Sequence, residues 1–167
     1  MRQDINFRRI RRSLSTILSR IKVFTDGAAK GNPGPAAIGI VIYDENDFIL
    51  RTYKEYLGET TNNQAEYRAL LKSLDLIKKL ASNIQVSFDS IEFYSDSELL
   101  VNQVNFDYQT KDPGLAVLNS KFHVLAKKLD KPFTITHIER AKNKNADMLA
   151  NLAIDNKLKL IKKEFLK

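Results

Sequence analysis

The sequence has no cysteine and no tryptophan, two histidines, six glycines and four prolines. Without cysteine there can be neither a disulfide nor a thiolate metal site, which fits a reducing compartment and a cytoplasmic location. Two histidines cannot build a His-rich zinc site, so any bound metal must be a hard, oxygen-preferring ion. No run approaches the ~18 uninterrupted apolar residues of a membrane span, and no membrane association is expected. Glycine and proline are scarce and 43% of residues are apolar, so the chain is globular rather than disordered. Its 167 residues suit one domain with a sizeable core.

Acidic residues are scarce in two places. Residues 1–20 hold six arginines against one acid, Asp4, and residues 155–167 hold five lysines against two acids. The formal charge of +7 thus sits outside a body, residues 21–154, that carries 16 basic and 17 acidic side chains. Such segments either keep a protein soluble or attract a polyanion. Ile10, Leu14, Ile17, Leu18 and Ile21 fall at helical spacing, so residues 1–20 are expected to form a short amphipathic helix. The same stretch is rich in arginine and serine, the composition of an organellar targeting segment, which is the alternative reading.

Residues 21–26, 38–43 and 48–57 read as three strands, the last two joined by a short polar turn and therefore antiparallel. Residues 60–80 read as a long helix, with Thr61 and Gln64 at capping-box spacing and Ala65, Ala69, Leu70, Leu74 and Ile77 as its apolar stripe. A strand at 90–96, helices at 97–105 and 114–129, a strand at 133–138 and a helix from Asn145 onward complete the order βββαβααβα. Strands separated by helices imply parallel neighbours joined by right-handed crossovers.

In "VFTDGAAKGNPGP" an acid, Asp26, ends the first strand, and small residues follow it. Asp96 likewise ends the fourth strand. Glu66 lies near the start of the long helix and Asp147 opens the last one. Each acid has an ordinary structural reading as a helix cap, a turn residue or a partner of the helix dipole. Together they occupy element ends that a central parallel sheet gathers at its carboxyl edge. Carboxylates ~4 Å apart repel by about 1 kcal/mol per pair in water and about 4 kcal/mol in a partly buried rim. Such a cluster must be protonated or neutralised by a divalent cation, and oxygen donors alone suit Mg²⁺ or Mn²⁺. Paired ions are the usual machinery for displacement at a phosphodiester. The small residues of 27–35 let a polyanion approach the backbone, although no Walker-type loop is present.

"TDGAAKGNPGP", "TTNNQAEYRAL", "YSDSELLVNQ" and "HIERAKNKNADMLANLA", in that order across residues 21–154, resemble the type 1 ribonuclease H family. The resemblance implies an α/β ribonuclease H-like fold: a five-stranded mixed sheet with helices on both faces, spanning residues 21–156. A basic extension would lie on each side, at 1–20 and 157–167. It implies an endonuclease that hydrolyses the RNA strand of RNA–DNA hybrids and leaves 5′-phosphate and 3′-hydroxyl ends. By motif position Asp26, Glu66, Asp96 and Asp147 match the carboxylates that hold two Mg²⁺ ions, with Mn²⁺ as a substitute. His137, ten residues before Asp147, matches a histidine that assists proton transfer or product release. Gly27, Gly31, Asn32, Asn62, Asn63, Gln64 and Asn143 match substrate-binding positions, where amides that donate and accept can read a 2′-hydroxyl. Glu98 departs from the pattern, since a number of members carry glutamine there. The stretch "NFDYQTKDPG" is too short for a basic protrusion, so the chain resembles the compact subgroup. The expected partner is the hybrid, bound by a monomer with no obligate protein partner. The competing reading is a non-catalytic hybrid-binding module on the same fold.

Overall fold

The structure, a computed structural model, describes residues 16–83 and 86–165. Strand β1 (Thr16–Ala29) lies at its centre and pairs antiparallel with β2 (Gly34–Tyr43) and parallel with β4 (Val86–Ser95). β3 (Ile49–Thr60) runs antiparallel to β2, and β5 (Phe133–His137) runs parallel to β4. The sheet order is β3-β2-β1-β4-β5. The β2–β3 turn is built by Asp44, whose Oδ1 accepts from the N–H groups of Asn46 and Phe48 at 2.8 and 2.9 Å. Asp47 there takes a φ of 67°, a left-handed position that Asp tolerates better than most residues.

Helix α1 (Asn62–Asn83) packs on β1 and against α3 (Pro113–Lys127), while α4 (Lys144–Phe165) packs on the other face over β2, β1 and β3. The short α2 (Glu98–Val104) bridges β4 and β5. The expected stripe Ala65, Ala69, Leu70, Leu74 and Ile77 is buried against this core. The capping box forms only in part. Thr61 Oγ1 accepts from the Gln64 N–H at 3.3 Å, but the Gln64 side chain takes the Thr60 hydroxyl at 2.8 Å instead of reaching back. Among the described residues no helix is long and apolar enough to cross a membrane.

The helix expected over residues 1–20 is not what residues 16–20 adopt. They belong to β1, with Thr16, Ile17 and Leu18 paired to Val86, Ser87 and Phe88. Ile17 is 71% exposed and Leu18 is 5% exposed, the alternation of a strand. The apolar spacing by itself favours a helix, and the edge offered by β4 overrides it. The rest of that expected helix, residues 1–15, lies outside the described residues.

Two glycines position the site. A Cβ on Gly27 would lie 2.2 Å from the Glu66 backbone nitrogen, so β1 and the start of α1 touch there through backbone. A Cβ on Gly39 would lie 2.0 Å from the Ala146 carbonyl oxygen, so β2 and the start of α4 do the same. Asp26 is the register partner of Gly39 and the chain neighbour of Gly27. Both helices therefore begin beside Asp26.

Candidate metal-binding and nuclease site

Asp26, Glu66, Asp96 and Asp147 line one cleft of about 450 Å³, with Gly27, Asn62 and Arg140 among its other walls. β1 runs on to Ala29, three residues past Asp26, instead of ending at it as the sequence suggested; Glu66 sits in the second turn of α1, Asp96 follows β4, and Asp147 stands in the first turn of α4. Asp96 is not the cap of α2. Ser97 fills that place, its side chain accepting from the Leu100 N–H at 3.3 Å. The aspartate is thereby left to the cleft.

Asp26 and Glu66 are 5% and 4% exposed, whereas Asp96 and Asp147 are half-buried. Burial, and next the charges of Asp96 and Asp147, push the Asp26 carboxyl up to about 7. The Arg140 guanidinium opposes that rise only in part. Glu66 is pushed well above its ordinary value by burial first and by Asp26 and Asp96 after that, with the Gly27 N–H pulling the other way. Glu66 Oε2 is buried without a hydrogen-bond partner. A buried acceptor left unpaired costs free energy unless a cation or proton meets it.

Among the described residues no three acidic or histidine side chains stand together as a finished ligand set. The side chains are diverted: the Arg140 Nη2 donates to Asp147 Oδ1 at 2.6 Å, and the Asn143 amide donates to Asp96 Oδ1 at 2.6 Å. The orphaned Glu66 oxygen, the raised Asp26 carboxyl and the oxygen-only donor set all fit a hard divalent cation.

Asn32 and Asn62 form the rim, the Asn32 Oδ1 accepting from the Asn62 N–H at 3.0 Å. Gly31 holds a φ of 106° that lets the loop fold over the helix start. Asn62 and Asn63 are exposed and Gln64 is half-buried. Asn143 lies elsewhere. It is 1% exposed, and its amide nitrogen bonds the Thr25 carbonyl at 2.9 Å as well as Asp96. It ties the end of β1, Asp96 and the first turn of α4 together from behind the cleft. His137 is exposed at the end of β5, in register with Ser95, and does not line the cleft. His123 is structural: it stacks on Phe106 with ring centroids 4.6 Å apart, and burial lowers its pKa.

Sequence reasoning missed Arg140 and Asn151. Arg140 contributes a cleft wall and pairs with Asp147, and Asn151 donates to the Asp147 carbonyl at 2.9 Å. The i, i+4 spacing of Asn151 from Asp147 was the available signal.

A mixed five-stranded sheet with carboxylates at the carboxyl ends of β1 and β4 defines the ribonuclease H-like class. A family model described as "Reverse transcriptase-like" matches residues 24–153. A ribonuclease HI of Halobacterium salinarum is 38% identical over 137 residues, 82% of this chain and 65% of that protein. A bifunctional protein of Mycobacterium tuberculosis is 34% identical over 81% of this chain and 36% of its own length. The chain thus spans less than two thirds of these curated relatives. The crystal structure of RNase H1 from Halobacterium salinarum superposes with a TM-score of 0.75 at 38% identity, covering 82% of this chain and 98% of that one. LC11-RNase H1 in complex with an RNA/DNA hybrid gives 0.75 at 40% identity, covering 83% and 99%. The chain belongs to the type 1 ribonuclease H family.

Proposed function

We propose that the protein is an endonuclease that hydrolyses the RNA strand of RNA–DNA hybrids, leaving 5′-phosphate and 3′-hydroxyl ends. The observation that carries this reading is one cleft lined by four carboxylates from four separate segments, with amides on its rim. The hybrid held by LC11-RNase H1, 40% identical, supports the substrate.

Type 1 ribonucleases H depend on divalent cations. Here Asp26, Glu66, Asp96 and Asp147 would hold two Mg²⁺ ions, with Mn²⁺ as a substitute. The chemistry such ions supply when bound is activation of water and stabilisation of the departing 3′ oxygen. The chain's own residues do the rest. Burial of Asp26 and Glu66 strengthens the charge interactions these two carboxylates make. Asn143 fixes the direction of Asp96. Asn32, Asn62, Asn63 and Gln64, with Gly27 and Gly31 clearing space for the backbone, read the 2′-hydroxyls that mark RNA. His137, exposed one strand from Asp96, takes up a proton or eases product release. The enzyme acts as a monomer without an obligate protein partner.

Incubating labelled RNA–DNA hybrid, double-stranded RNA and double-stranded DNA with Mg²⁺ tests the reading. Only the hybrid should be cut, and Asp26→Asn should lower cutting on the order of 10³-fold. Cleavage of all three substrates, or full activity in the variant, would overturn it.

A further inference from the structure

The cleft holds a cation of its own. Arg140 is the one basic side chain among its described lining residues, and its guanidinium meets Asp147 Oδ1 at 2.6 Å. The side chain is 76% exposed, while that of Asp147 is 28% exposed. Arg140 begins the 3₁₀ turn Arg140–Lys142, and that turn runs directly into Asn143, which is 1% exposed and bonded to both Thr25 and Asp96. The backbone beneath Arg140 is thus anchored, while its side chain lies over the open side of the cleft. Asp26, Asp96 and Glu66 all feel its positive charge, so its influence reaches the whole cluster.

We propose that Arg140 is a built-in, exchangeable counter-ion: it neutralises Asp147 in the metal-free protein and is displaced from that carboxylate when a divalent cation binds. This rests on the cleft being a metal site, as argued above. A guanidinium 2.6 Å from Asp147 Oδ1 and a divalent cation on the same carboxylate repel each other, so the two compete for it. Displacement is cheap because an exposed arginine regains water on leaving its partner. The anchored turn keeps the freed guanidinium at the mouth of the cleft. Its planar fork suits a phosphodiester oxygen pair as well as it suits a carboxylate. Arg140 is therefore a positioning residue that exchanges one anion for another: Asp147 in the resting protein, the substrate backbone once the metal is in place. Nothing in the anchoring of Asn143 depends on this exchange, so the carboxylates keep their places while it happens.

Competition predicts a direction that a purely supporting role does not. Removing Arg140 should tighten metal binding, whereas loss of a structural prop should weaken it. The test titrates Mn²⁺ into the full chain by calorimetry, without nucleic acid, for wild type, Arg140→Ala, Arg140→Lys and Lys142→Ala. Lys142 lies in the same turn and carries the same charge, but it neither lines this cleft nor pairs with Asp147. Arg140→Ala should bind Mn²⁺ about three- to tenfold more tightly, the range of an exposed ion pair strengthened by neighbouring charges. Arg140→Lys should fall between Ala and wild type, and Lys142→Ala should stay near wild type. In an Asp147→Asn background, Arg140→Ala should lose most of its effect. Unchanged or weaker Mn²⁺ binding in Arg140→Ala would overturn the proposal, as would equal tightening in Lys142→Ala. If Arg140→Ala does not fold, the order of Arg140→Lys against wild type decides. The titration needs no substrate, so failure to cut hybrids would strike the proposed function alone. Absence of Mn²⁺ binding by the wild type would overturn both.

Discussion

The same strands end in two very different hollows. Where β4 begins, the later turns of α1 and the end of α3 leave a groove of about 570 Å³ walled by Leu71, Leu74, Val86, Phe88 and Leu125. Where β1 and β4 finish, the smaller cleft is walled by four carboxylates and one arginine. The groove is the larger of the two, yet it gathers no set of converging titratable groups. Its lysines, Lys78, Lys128 and Lys131, are exposed, as solvated rim charges ordinarily are. The cleft does what packing alone would never favour: it buries Asp26 and Glu66 beside further acids. Stability is given up at one end of the sheet and kept at the other, and that cost, rather than volume, marks the working end.

Breaking the cleft should therefore harm activity and help the metal-free fold. Asp26→Asn is expected to lower hybrid cleavage on the order of 10³-fold, the scale of losing several kcal/mol of charge stabilisation. In EDTA at neutral pH the same variant should melt higher than wild type. The sign follows from the shift. A carboxyl raised from 3.8 to about 7 contributes stability that is fully present below pH 3.8 and is lost as pH rises through about 7. Metal-free wild type should thus lose stability from about pH 4 to pH 7, and the buried Glu66 has the same sign. Asp26→Asn should flatten that slope, and added Mg²⁺ should restore the wild type. A wild-type melting curve flat across this range would contradict the buried, protonated cluster.

Breaking the groove should do the reverse. Leu74, 3% exposed, lies on its wall, and Leu74→Ala should cost about 2–5 kcal/mol in urea unfolding. Below its melting point this variant should keep wild-type Mn²⁺ affinity and cleavage rate. A matching loss of activity would show that the two ends are coupled.

The smallest effect concerns the basic segments. Residues 16–20 belong to β1, so the deletion that tests the basic segment stops at residue 15. If the arginines of that segment attract the hybrid, deletion should leave the cleavage rate at saturation unchanged. It should also make the logarithm of binding affinity less steep in salt, by about one unit of slope per lost phosphate contact. An unaltered slope would remove those residues from the binding footprint.

Much of this was legible in the residues. The order of strands and helices, the α1 stripe and the four acids all follow from local period and from acids placed at element ends. The extra length of β1 and β4 was not, because Ile17, Leu18 and Ile21 fall at helical spacing and pairing partners lie about 70 residues apart. Asn143 matches a substrate position in the sequence, and its bonds to the Thr25 carbonyl and Asp96 were not legible there, since nothing local shows that those two residues will close over it. Arg140 stood inside a recognised motif and passed unnoticed because its partner, seven residues on, is reached across a turn and a helix start.

Residue chemistry along the chain was enough to name the acids and to require a cation, because like charges near one another repel whatever the fold. How deep each acid lies, and which one Arg140 holds, depends on α1 crossing β1 at Gly27 and α4 crossing β2 at Gly39. Those crossings join segments far apart in the chain. Only their packing excludes water from Asp26 and Glu66 and leaves Asp96 and Asp147 at the mouth.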